Sequence, residues 1–340
     1  MSRELVQAIY DPVLKLPENT YFYKHAMSEI EYFGIASQVY YLLQKLDLLK
    51  KTPYFFQNYL EDRYKKVLEK NSFIEKETEE FLKAFEEARI ETISIPLNGT
   101  RFAKKYFRNP GASPASHISL LINKQDLNYA LEVLKAFGYS GAEKADEDEQ
   151  DYLYFYNELP GIGPFIVQLH WGLVGEHADG FKPEELWERA ESIEGFRYVK
   201  ELSDFDCFYL ACLNGWKSNL ASLKHFIDII QMIHCLGERI DYTHLLAMAR
   251  NHKTYKRIVR ILSIVYREFP HLNLINALPR KRTLLFWDYQ AILPGNRKKW
   301  KQYLDYLDYQ FFSHDKLKHL LREVKSRPVH IERAASDHYF

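Results

Sequence analysis

The sequence predicts an α+β protein in which a mixed β-sheet is flanked by N-terminal and C-terminal helical regions. Apolar residues recur at helical spacing over residues 21–89, β-branched residues alternate with period two from Thr92, and helical spacing returns after Ser203. The resulting division is an N-terminal helical region at 1–90, an α/β core at 91–202 and a C-terminal helical domain at 203–340.

In the first region, Ile35, Val39, Leu42, Leu43 and Leu46 lie three or four apart, and Pro53 punctuates the run before a charged amphipathic stretch through Phe73, Phe81 and Phe85. The period then changes. Thr92 to Leu97 and Ile118 to Ile122 read as strands enclosing a short helix. Leu127, Ala130, Leu131 and Leu134 form an i, i+3, i+4, i+7 stripe, with Gly138 placed to end that helix. Tyr152 to Tyr156 and Phe165 to Leu169 read as a hairpin turning through Pro160-Gly161-Ile162-Gly163-Pro164; no helix follows this Gly-x-Gly, so it is a turn and not a phosphate loop. Beyond Ser203, Leu220, Leu223, Ile227, Ile230 and His234 share one face, and 255–269 is a second apolar-striped helix.

Composition removes several function classes. With 46 basic and 46 acidic side chains among 340 residues, the chain has no net attraction for phosphate backbones, so nucleic acid is an unlikely partner. Cys207, Cys212 and Cys235 make no Cys-x-x-Cys pair and read as reduced thiols. The opening Met-Ser-Arg-Glu is followed by no apolar leader, and no run approaches the ~18 apolar residues of a membrane span, so the expectation is a cytoplasmic protein with no membrane partner. The acidic run at 143–151 reads as a solvated loop. The segment 279–301 has seven Lys/Arg interleaved with Phe286, Trp287, Tyr289 and Trp300, and reads as either a solvated helical pair or a partner-binding surface.

The order of central elements, together with Leu97-Asn98-Gly99, Tyr106, Pro110-Gly111, Leu120-Leu121-Ile122, Phe137-Gly138-Tyr139 and Leu169-His170-Trp171, resembles the uncharacterised nucleotidyltransferase family of the polymerase-β-like superfold over roughly residues 25–270. The resemblance implies a nucleotidyltransferase-like core. It also implies two-metal chemistry, in which Asp-x-Asp on one strand and a third Asp on a later strand hold divalent cations against nucleotide phosphates. Here those three positions carry His117, Ser119 and Gln168, the usual Lys before the turn glycine is Asn98, and an upstream Arg is Ser113. Three carboxylates would offset most of the charge of two Mg²⁺ ions; His, Ser and Gln supply none, so Mg²⁺ is not expected to bind strongly, and the sequence names no other cofactor.

The candidate catalytic residues are therefore His117, Ser119 and Gln168, with His117 either a residual base or a strand histidine. The candidate ligand-binding residues are Asn98, Gly99, Thr100 and Arg101 at a turn and helix start, His170 at a strand end, and Lys217, Lys224 and Asp228 bordering the cleft. Each has a local alternative: a solvated helix face for Arg101, core packing for His170, an i, i+4 pair for Lys224 and Asp228.

Two functions follow. One is a nucleotidyltransferase-fold protein without its metal centre that binds a nucleotide-like or phosphorylated small molecule, or a protein partner. The other is a transferase with altered chemistry, moving a nucleotidyl, sugar or phosphosugar group onto a small molecule or modified peptide, as the resemblance to natural-product tailoring enzymes implies. Conventional Mg²⁺-dependent transfer ranks third, and the sequence leaves open whether the chain is an enzyme.

Overall fold

The computed structural model describes residues 1–141, 152–159, 163–173, 183–293, 299–313 and 315. The acidic run at 143–151, the turn residues 160–162 and part of the basic segment, 294–298, lie outside them. The helices are α1 (Ser2–Tyr10), α2 (Thr20–Phe33), α3 (Ala36–Lys45), α4 (Tyr54–Glu87), α5 (Thr100–Phe102), α6 (Leu127–Ala136), α7 (Pro183–Arg189), α8 (Asp204–Lys217), α9 (Leu223–Leu236), α10 (Tyr242–Asn251), α11 (Tyr255–Glu268), α12 (Leu272–Ile275) and α13 (Lys299–Leu307). The strands are β1 (Thr92–Ile95), β2 (His117–Ile122), β3 (Ser140–Gly141), β4 (Tyr152–Leu159), β5 (Gly163–His170), β6 (Glu191–Ser192) and β7 (Val199–Glu201). They form one seven-stranded mixed sheet in the order β3-β4-β5-β2-β1-β7-β6. The fold is α+β and nucleotidyltransferase-like.

Period-two alternation sorts each strand's side chains onto two layers. Ile118, Leu120 and Ile122 of β2, with Phe165, Val167 and Leu169 of β5, pack on Ile74, Phe81, Leu82 and Phe85 of α4 and on Ala130 and Leu134 of α6. The opposite face carries His117, Ser119 and Leu121, and Leu121 joins Ile93 and Ile95 in the larger apolar cluster with α8, α9 and α11. This cluster also holds Leu5, Val6, Tyr23, Val39 and Leu43, so the helices before residue 90 and those after 203 share one core. Helix α1 packs against the C-terminal helical region: Arg3 is salt-bridged to Glu268, the Ser2 and Tyr289 hydroxyls lie 2.7 Å apart, and the Tyr10 hydroxyl donates to Gln231.

Trp287 and Tyr289 of the basic-aromatic segment are buried in that core, and only Trp300 among its tryptophans is largely exposed. Cys207 and Cys212 are buried free thiols, with Cys235 half-buried. Among the described residues, no helix is long and apolar enough to cross a membrane.

The segment leading into β2 is pinned by Asn71 of α4. This fully buried amide donates to the Pro110 and Ser113 carbonyls at 2.6 and 2.8 Å and accepts from the Ala115 N–H at 3.1 Å. Asn71→Ala strands three backbone groups at once, and a loss of about 2 kcal/mol is expected from urea unfolding. A change below about 0.5 kcal/mol would show that water replaces the amide.

Candidate functional site

The site grows from the turn between β1 and α5. Asn98 adopts φ +61°, a left-handed conformation that Asn tolerates better than most residues, and its carbonyl accepts the Ser116 N–H at 2.9 Å. The turn is thereby tied to the start of β2. A Cβ on Gly99 would stand 3.3 Å from the Pro96 carbonyl oxygen and 3.6 Å from that of His117, a tight approach that glycine avoids.

Parallel pairing of β2 with β5 sets Ser119 directly opposite Gln168, and the Ser119 hydroxyl donates to Gln168 Oε1 at 3.3 Å. His117 and His170 fall two residues from this pair on their strands and share its face. The structure brings His117, Ser119, Gln168 and His170 together at the centre of the sheet.

Helices supply the charge. Lys224, in the first turn of α9, donates to Asn98 Oδ1 at 3.3 Å and is salt-bridged to Asp228 one turn on. Asp228 is buried, its carboxyl raised by burial and opposed by Lys224 and by Gln38, whose side-chain amide donates to it at 3.0 Å. Gln38 is fully buried, and its Oε1 has no hydrogen-bond partner. Lys217, exposed at the end of α8, is close enough to His170 to influence its protonation. Burial first and Lys224 second lower the His117 imidazole to about 4; burial, then His117 and Lys217, lower His170 to about 3. Both rings are neutral at pH 7, with the Ser116 hydroxyl 2.8 Å from His117 Nδ1.

Arg101 and Thr100 are placed elsewhere. The Arg101 guanidinium is ion-paired with Glu201 of β7, Lys104 with Glu75, and Lys105 with Glu191, Glu201 and Asp204. Thr100, Arg101, Lys104 and Lys105 line a separate cavity of about 270 Å³ with Glu75 and Glu201. Helix α5 is three residues long and passes into a π-turn at Ala103–Phe107, so the helix start offers little of the dipole of a full helix. These ion pairs tie the basic run after Gly99 to α4, β6, β7 and α8.

Sequence reasoning did not single out Gln38, Ser116 or Tyr152, whose ring lies 5.4 Å from that of His170. A signal existed for Gln38, a polar residue inside the apolar stripe of α3 that turns out to hold Asp228. Among the described residues, no three His, Cys, Asp or Glu side chains are grouped to hold a metal ion. His117, Ser119 and Gln168 present neutral donors, and the one carboxylate of the cluster is already shared between Lys224 and Gln38.

A family model described as an uncharacterised nucleotidyltransferase matches residues 25–269. No curated protein and no solved structure matches the chain.

Proposed function

Because the chain belongs to the uncharacterised nucleotidyltransferase family, we propose that it binds a nucleotide-like or phosphorylated ligand on the His117–Lys224 face without Mg²⁺-dependent nucleotidyl transfer. The observation that carries this is the charge of the cluster: neutral His117, Ser119, Gln168 and His170 bordered by the ammonium groups of Lys224 and Lys217. Mg²⁺ takes hard, mostly anionic oxygen ligands and gives up its water reluctantly. This donor set suits it poorly, whereas it suits an anion. Lys224 and Lys217 meet the phosphate, the Gly99 turn lets backbone approach it, and Ser119 and Gln168 offer hydrogen bonds. Arg101 takes no part, since it lies on the separate cavity beside Glu201.

The altered-chemistry transferase is the second reading. An unprotonated His117 with the Ser116 hydroxyl at 2.8 Å is free to accept a proton, but an imidazole lowered to about 4 is a weak base at pH 7.

Calorimetry with inorganic tripolyphosphate in EDTA tests the first reading. Binding is expected without metal, and it should weaken about 10-fold both in Lys217→Ala and in the paired Lys224→Met/Asp228→Asn variant, which leaves no buried carboxylate unpaired. The variant His117→Asp/Ser119→Asp/Gln168→Asp is expected to gain Mn²⁺ binding that the wild type lacks. Binding seen only with Mg²⁺, or turnover of a nucleoside triphosphate abolished by His117→Ala, would overturn this reading and favour a transferase.

A further inference from the structure

The alternation that places Gln168 and His170 on the site face continues one strand outward. In the antiparallel β4–β5 ladder, Tyr152 pairs with His170, Tyr154 with Gln168 and Tyr156 with Ile166, so three tyrosines stand in a row on the same face as the site. The intervening residues Leu153 and Phe155 point the other way, into the layer shared with α4 and α6. Aromatic contact is continuous from the site outward: His170 to Tyr152 at 5.4 Å, then Tyr152 edge-on to Tyr154 at 5.0 Å.

Over β1 and β2 this face is roofed by the apolar cluster containing α8 and α9. Over β4 it is uncovered among the described residues, with Tyr154 46% and Tyr156 52% exposed. Neighbouring strands lie about 4.8 Å apart, which sets β4 about 10 Å across the sheet from His117 on β2. The surface thus offers Lys224 beside His117, Lys217 near His170, and two exposed tyrosine rings on β4.

Resting on the phosphate-binding reading above, we propose that Tyr154 and Tyr156 form a stacking platform for the nucleobase of a nucleotide whose phosphates lie toward Lys224 and Lys217. Charge orients the ligand, because only its anionic end is attracted to the lysines. Stacking on a tyrosine face tolerates any base and adds affinity that a ring-free phosphate cannot gain. The hydroxyls are dispensable for this, so the platform reads ring from no ring, not one base from another.

The test compares ATP with inorganic tripolyphosphate, both in EDTA, by calorimetry on the full chain. Wild type is expected to bind ATP about 10-fold more tightly than tripolyphosphate. Tyr154→Ala/Tyr156→Ala should erase that advantage and leave tripolyphosphate binding unchanged, while Tyr154→Phe/Tyr156→Phe should keep it. Both residues are exposed, so the substitutions spare the core. Equal binding of the two probes by wild type, or an ATP advantage that survives the alanine pair, overturns the platform and leaves the phosphate site standing. Failure of both probes to bind overturns the phosphate site and the platform with it.

Discussion

Arg260→Met is expected to destabilise the protein by about 3–5 kcal/mol, enough to remove much of the margin of an ordinary domain. Arg260, on α11, is fully buried, donating from Nε to Asp308 at 3.0 Å and from Nη2 to Asp305 at 2.7 Å. Arg282 also pairs with Asp308, and the Asn219 amide donates to Asp305 at 2.8 Å. Burial raises the Asp305 carboxyl, with Arg260 opposing that rise. Methionine fills much of the same volume but leaves the Asp305 carboxylate without a cation, while Asp308 keeps Arg282. The cost lies in the stranded anion more than in the lost attraction, so a second change should recover it: Arg260→Met/Asp305→Asn is expected to regain at least half of the loss. Urea denaturation of the two variants decides this. A single variant within 1 kcal/mol of wild type, or a pair whose costs simply add, would mean that the buried network contributes little.

Acid is expected to weaken the fold well before its carboxylates titrate. His117 and His170 are lowered to about 4 and about 3, against roughly 6.5 in the unfolded chain. Between these values the unfolded state binds protons that the folded state refuses, so stability rises with pH. The contribution is fully present above about pH 6.5 and is lost as pH falls toward 4 and below. The size is at most of order 3 kcal/mol for each ring, because both keep some contact with solvent. Denaturation midpoints measured from pH 7 to 4.5 should fall steadily in the wild type and less steeply in His117→Asn/His170→Gln, where His234, also lowered by burial to about 4, and the lowered His252 and His271 still contribute. A wild-type midpoint constant over that range, or an equal fall in the double variant, would contradict buried neutral imidazoles.

Much of this architecture is written locally. The alternation in β2 and β5 shows which residues share a face, and the stripe from Leu127 to Leu134 with Gly138 in a left-handed conformation marks the end of α6. The positions that the resemblance assigns to the family's motif fall on adjacent strands, Ser119 opposite Gln168. Other features have no local signature. Strands β6 and β7 are two and three residues long, too short to display a period, and β7 is built partly by Glu86 of α4 accepting the N–H groups of Arg197, Tyr198 and Val199. The basic residues after Gly99 look like a phosphate cradle because their counter-ions, Glu201, Glu191 and Asp204, lie about a hundred residues away in the chain. Gln38 and Asp228 meet across 190 positions, a pairing that neither neighbourhood announces.

The docking of α1 against residues more than two hundred positions later has a consequence for synthesis. Ser2 and Tyr289 are 287 positions apart, and α1 buries Leu5, Val6 and Ile9 in a core completed by α9 and α11. At about 5–20 residues per second, roughly 15–60 s separate the emergence of α1 from that of its last partner. Throughout that interval the first apolar helix has no finished surface to dock on, so a nascent chain of this protein is a natural client for chaperones that hold exposed hydrophobic segments at the ribosome.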